Sequence, residues 1–139
     1  MKSSVLRTLV TLSLSTVFNH VALLAQDQLC ATIPFDFTVG PKSLTAGKYC
    51  VQELQPYVLQ IRNTQGGSST FTMTLPADPT KEPGVAKFTF RRYGNNYFLA
   101  EVSDNKNGRR FYQSVAEKEL IAKASSPEPA VPATILASK

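Results

Sequence analysis

The sequence predicts an all-β fold, a six-stranded antiparallel barrel or two-layer sandwich with one short C-terminal helix. Three observations predict it. Between residues 33 and 103, apolar and polar side chains alternate with a period of two in short runs. Clusters of Gly, Pro and Asn, the residues that turns require, separate those runs. A helical signature occurs at residues 114–124, where Ser114-Val115-Ala116-Glu117 has the form of a capping box.

The N-terminal stretch stands outside that fold. Lys2 and Arg7 precede residues 8–26, which are rich in leucine, carry no formal charge and run through Ala22-Leu23-Leu24-Ala25. A basic start, an apolar centre and a small residue at the cut describe a signal peptide over residues 1–25. Thr11, Ser13, Ser15, Thr16, Asn19 and His20 make the stretch too polar for a comfortable membrane span. Cys30 follows Asp27-Gln28-Leu29, not the small residues of a lipoprotein signal. The expected organisation is a signal peptide over 1–25, a β domain over 26–124 with its helix at 115–124, and a disordered Pro/Ala/Ser tail over 125–139. The expected location is periplasmic or extracellular.

In residues 33–51, IPFDFTVGPKSLTAGKYCV, the side chains of Ile33, Phe35, Phe37 and Val39 alternate with Pro34, Asp36 and Thr38. A Gly-Pro turn and a second run at Tyr49 and Val51 follow, so the stretch reads as an arch or hairpin with its odd-numbered residues in the core. A simple hairpin register places Cys50 opposite Asp36, with Cys30 six residues further along. That is a separation of ~20 Å, against ~7 Å for bridged Cα atoms. An oxidising compartment favours a Cys30–Cys50 disulfide and the register resists it. Only a fold-back of the chain before Pro34 reconciles the two, and the sequence leaves the bridge open. If formed, its loop would contribute about 3 kcal/mol in the chain-entropy model.

Gln55-Pro56 turns the chain into a strand in which Tyr57, Leu59 and Ile61 alternate with Val58, Gln60 and Arg62. After a glycine loop, residues 69–75 should form a strand with Phe71, Met73 and Leu75 inward and Thr70, Thr72 and Thr74 on the wet face. Three prolines within 76–84 forbid regular pairing there. Residues 85–93 and 97–103 flank Gly94-Asn95-Asn96 as a hairpin. Keeping Phe88 and Phe90 on the same face as Phe98, Ala100 and Val102 selects a three-residue loop, with Tyr93 opposite Tyr97 and Thr89 opposite Glu101. Glu101 would then lie diagonal to Lys87 and Arg91. Residues 104–108 are a polar loop, and the helix that follows should pack Ala116, Leu120 and Ile121 on the sheet.

Composition excludes more chemistry than it suggests. The chain carries a formal net charge of +5 with one histidine and no tryptophan. Removing Lys2 and Arg7 from the fifteen basic residues leaves thirteen against ten acidic ones, scattered along the chain, so nucleic acid is a disfavoured partner. His20 falls in the signal peptide, so the mature chain has no imidazole for a serine or cysteine hydrolase or a histidine metal site. No catalytic, cofactor-binding or metal residue is assigned. Asp36, Glu53 and Glu101 are the carboxylates from which a glycosidase-like pair could be drawn. Arg91, Arg92 and Tyr93, with Arg109 and Arg110, are the candidate anion or partner contacts, and acidic envelope polysaccharide, lipid headgroups or another exported protein are the corresponding partners.

The stretches IPFDFTVGPKSLTAGKYCV, LQIRN, KFTFRRYGNNYFLAEV and SVAEKEL together resemble a group of small exported β-proteins from soil bacteria. Their motifs read F-x-F-x-V-G...L-x-A-G-x-Y and F-x-R-Y-G...Y-F-L before a short helix. The resemblance covers residues 33–120. It implies export and a β fold and carries over no catalytic residue. Thr45 stands where the motif has proline, and Cys50 where it has an ordinary strand residue. The expectation is a non-enzymatic exported β module with a binding or structural role in the envelope or outside the cell. A carboxylate-dependent polysaccharide hydrolase and a lipocalin-like carrier of a small apolar ligand are the alternatives.

Overall fold

The computed structural model describes residues 27–78, 85–104, 106–124 and 130–139. The expected signal peptide lies outside the described residues. The described chain is mostly strand with one short helix, but it has ten strands where the sequence predicts six. The additional strands are β1 (Gln28–Ile33), which a break at 34–36 separates from the next strand, the short β3 (Lys42–Leu44) and β9 (Gly108–Phe111), and β10 (Val131–Ala137), which carries Pro132. The others are β2 (Phe37–Val39), β4 (Gly47–Gln55), β5 (Val58–Asn63), β6 (Ser69–Ala77), β7 (Ala86–Tyr93) and β8 (Asn96–Ser103).

The strand order is β1-β4-β5-β6-β9-β8-β2-β3, with β7 also paired to β8 and β10 to β7. β6 is shared by two halves of the sheet: its residues 69–73 pair with β5 and 74–77 with β9. Among the described residues the sheet does not close. At its far ends β1 and β10 meet at one residue pair, Cys30 and Ser138, which exchange two backbone hydrogen bonds of 2.8 Å.

One apolar cluster lies between the inner faces. Ile33, Tyr49, Val51, Leu59 and Ile61 come from the first half, and Phe88, Phe90, Leu99, Val102 and Phe111 from the second. Phe88 and Phe90 are fully buried, each contributing about 1.5–3 kcal/mol by burial. Phe37 packs edge-on against Tyr49 and Phe90 at ring separations of 5.0 and 5.4 Å, the favoured aromatic geometry.

The arch at 33–51 differs from its expected form. Pro34 cannot donate to a ladder, and the strand breaks at 34–36. β1 before the break pairs with β4, whereas β2 after it turns through Gly40, at φ 55°, into β3 and joins β8 by a parallel contact. The fold-back brings Cys30 directly opposite Cys50, and the disulfide is formed, with Cα atoms 4.1 Å apart. Asp36 is not Cys50's neighbour; its Oδ1 accepts from the Ala46 amide at 2.8 Å.

β6 presents the opposite face from the one expected. Leu59 and Ile61 point into the core, and their direct partners are Thr72 and Thr70. Opposed residues share a face, so threonines face inward and Phe71, Met73 and Leu75 outward, at 59%, 68% and 41% exposure. In the β7–β8 hairpin the loop is two residues, with Gly94 at φ 59° and Tyr93 opposite Asn96, not Tyr97. A bulge after Thr89 restores the expected pairing of Thr89 with Glu101. Phe98 is therefore buried on the outer face, packed on Tyr93 rather than in the central cluster.

The helix α1 (Val115–Lys123) starts as expected, with Ser114 Oγ accepting from the Glu117 amide at 3.1 Å. The return half of the capping box is missing. The Glu117 side chain is fully buried against β7 instead, whereas Ala116 is exposed and Leu120 and Ile121 are half-buried. The expected disordered tail is corrected over Val131–Ala137: β10 pairs with β7 along its length, and Ala133, Ile135 and Ala137 pack on the core. Residues 125–129 lie outside the described ones.

Candidate functional site

Period-two alternation carries each strand's inward face beyond the core, and at one end the inward residues become charged. On β4, Val51 is followed on the same face by Glu53, which is paired with the inward Leu59. On the other half, Val102 is paired with Arg109, so the arginine also points inward. Leu29, Val51, Leu59 and Val102 form the apolar floor of a cleft of about 290 Å³. Asp27, Glu53, Asp104, Asn107 and Arg109 form its rim.

The first rim pair spans the two halves. Arg109 Nη2 donates to both oxygens of Glu53, at 2.9 and 3.0 Å. The Arg109 guanidinium lies 5.5 Å over the Tyr57 ring, and the Tyr57 amide donates to Glu53 Oε1 at 3.1 Å. Tyr57 has φ 67° at the third position of the Gln55-Pro56-Tyr57-Val58 turn, a place that favours glycine. Its carbonyl accepts both the amide and the hydroxyl of Thr74, at 2.8 and 3.0 Å, which holds the strained residue in place. Arg109 Nε is buried and makes no hydrogen bond among the described residues.

The second rim group is Asp104, 6% exposed, which starts the turn between β8 and β9. Its Oδ1 accepts from the amides of Lys106 and Asn107, at 2.8 and 2.6 Å. Its Oδ2 faces Lys139 Nζ at 3.0 Å, and the same ammonium is 3.8 Å from Asp27 Oδ2. Burial alone would raise the Asp104 carboxyl, but the two amides and the Lys139 ammonium together hold it below the usual aspartate value. This turn demands a close approach: a Cβ on Gly108 would lie 2.7 Å from the Ala77 carbonyl oxygen.

The five basic and aromatic residues singled out by sequence do not form one patch. Arg91 and Tyr93 both bind Glu117, Arg91 through two prongs, one of 3.0 Å, and Tyr93 through its hydroxyl at 3.1 Å. Burial, then the hydrogen bond to Glu117, raises the Tyr93 phenol. Arg92 stacks over Tyr97 at 5.6 Å and donates to the Gly94 carbonyl at 2.7 Å. Arg110 is on the outer face, 4.0 Å from Glu101, because β9 lies beside β8; the expected contact of Glu101 with Arg91 gives way to this one. Only Arg109 of the five, and only Glu53 of the three carboxylates, line the cleft. Sequence reasoning missed Asp27, Asp104 and Lys139. Asp104 begins an Asp-Asn-Lys-Asn-Gly run, which signals a turn and says nothing of which side chain faces the cleft.

A second hollow, of about 490 Å³, lies between the Gly40-Pro41 turn and the start of α1. Glu119 is the charged side chain in its lining, and it is 3.9 Å from the exposed Lys123 on the same helix. No protein-family model, curated protein or solved structure matches the chain. The functional reading therefore rests on the cleft. Its acids are held by cations and amides, and Asp104 is pushed away from the raised value that a general acid requires. An apolar floor under fixed charges suits binding of an amphipathic molecule.

Proposed function

We propose that this chain is an exported, non-enzymatic β-sandwich module that binds a small amphipathic molecule in the cleft between its two halves. The observation that carries the reading is the juxtaposition of Leu29, Val51, Leu59 and Val102 with the Glu53–Arg109 pair around one opening. The strained Tyr57 beside that pair supports it, since such backbone persists where the surroundings hold it for a purpose. Export is supported by the Cys30–Cys50 disulfide and by the basic and leucine-rich start of the sequence. Among the described residues, no helix is long and apolar enough to cross a membrane.

Two features weigh against the alternatives. A polysaccharide hydrolase would need one carboxyl tuned upward, and the cleft holds its acids as ion pairs. A barrel-type carrier would need a hollow centre, and Phe37, Phe88 and Phe90 fill it, leaving space at one end. The test is an amide NMR titration of the mature chain with six-carbon amphiphiles of differing charge. Shifts should concentrate at Leu29, Val51, Leu59, Val102 and Arg109. Shifts spread over the surface, or none at millimolar probe, would remove the cleft as a binding site.

A further inference from the structure

We propose that the rim of this cleft is a primary-ammonium site, and that the chain's own Lys139 is its resident occupant. The inference rests on the reading of the cleft as a binding site and names the ligand class: a primary amine, protonated at neutral pH, attached to an apolar body. The Lys139 ammonium already sits between two rim carboxylates, 3.0 Å from Asp104 and 3.8 Å from Asp27. Asp104 commits one oxygen to two backbone amides, which leaves the other pointing at a single cationic group.

The donor chemistry distinguishes this ligand from other charged ones. An ammonium is a compact charge with three donors, which two carboxylates at unequal distances can share, whereas a guanidinium asks for a flat two-pronged partner. That second kind of partner is present at the rim but taken, since both oxygens of Glu53 accept from Arg109 Nη2. An anionic ligand would meet Asp27, Glu53 and Asp104 at the same opening. Among the described residues, no group of three or more metal-ligating side chains could hold a metal ion.

Lys139 is placed to be displaced. Its side chain is 40% exposed, its contact with the 79% exposed Asp27 is screened by water and weak, and its 3.0 Å contact with the buried Asp104 is the one that an incoming ammonium takes over. Lys139 is not part of the cleft lining, whereas Leu29 and Val102 are. An incoming amine reproduces the ammonium contacts of Lys139 and adds burial of its apolar body on that floor. The occupied rim thus behaves as a competitive brake on the site, released by a ligand that offers both charge and apolar surface.

The experiment titrates the mature chain with hexylammonium, hexanol and hexanoate, comparing wild type with Lys139→Met, which keeps an apolar stem and removes the charge. Hexylammonium should bind tightest, and Lys139→Met should tighten it about two- to fivefold, the range expected for removing a partly exposed competing cation. Asp104→Asn should abolish the preference for hexylammonium over hexanol. Should that variant fold poorly, the exposed Asp27→Asn should weaken hexylammonium alone. Equal binding of hexanol and hexylammonium, or preferred binding of hexanoate in Lys139→Met, overturns the ammonium site and leaves the cleft reading standing. Binding of no probe by either protein overturns both.

Discussion

Arg91 with Glu117 and Arg109 with Glu53 are the same two side-chain types, each arginine donating to both oxygens of its acid, Arg91 through Nε and Nη2 and Arg109 through Nη2 alone, yet they sit in opposite surroundings. Glu117 is fully buried, accepts a third hydrogen bond from Tyr93, and is the one buried residue of its helix. Glu53 is 36% exposed at the rim of a cleft with an aromatic ring beside its partner. The arginines are alike, 21% and 20% exposed, so the difference lies with the acid. A buried carboxylate surrounded by donors fixes one arrangement of helix on sheet. A carboxylate in contact with water holds its partner at low cost to rearrangement.

The contrast breaks most readily at the buried pair. Arg91→Met leaves the Glu117 carboxylate buried with Tyr93 as its remaining side-chain donor and should destabilise the fold by about 3–5 kcal/mol, read from urea denaturation. Amide exchange over α1 should accelerate, because Leu120 and Ile121, each half-buried, offer the helix little other purchase. Adding Glu117→Leu to Arg91→Met removes the stranded charge and should recover most of the loss. A cost below about 1 kcal/mol for Arg91→Met would mean the buried pair is worth no more than a surface one.

Asp104 stands between the two extremes, buried like Glu117 but facing a cation at the rim. Its carboxyl is held below its ordinary value in the folded chain, so its contribution is fully present above the unfolded-state value, about 3.9. That contribution is lost as pH falls through the lower folded-state value. Urea midpoints should therefore fall less steeply on acidification in Asp104→Asn than in wild type. Parallel acid limbs would show that the Lys106 and Asn107 amides contribute nothing that depends on its charge.

The sequence carried the strand periodicity, the β7–β8 hairpin, the Ser114 cap and both ends of the disulfide. It did not carry facing. In β6 an alternating pattern is equally strong read either way, and the choice is made by register with Leu59 and Ile61 on β5, a non-local fact. In β10 the alternation of Ala133, Ile135 and Ala137 competes with the nearby prolines, and Pro132 is tolerated because it stands near the start of a strand whose only ladder among the described residues is the one with β7. The cleft is half legible in the sequence: Glu53 and Arg109 stand out as isolated candidates, but their meeting depends on β9, a four-residue strand beginning at a glycine. Asp104 and Lys139 are 35 residues apart in sequence and meet only because β10 returns beside β1.

The smallest stability effect should come from the rim pair. Glu53→Gln keeps the acceptor oxygen for the Tyr57 amide and removes the charge, and because Glu53 is partly in water the loss should stay within ~0–1 kcal/mol. The same change leaves the Arg109 guanidinium, whose Nε makes no hydrogen bond among the described residues, without its paired carboxylate. Affinity for hexanoate should rise in this variant while the urea midpoint barely moves. A large loss of stability without a change in hexanoate binding would place Glu53 with Glu117, as a structural acid, and remove the distinction between the two pairs.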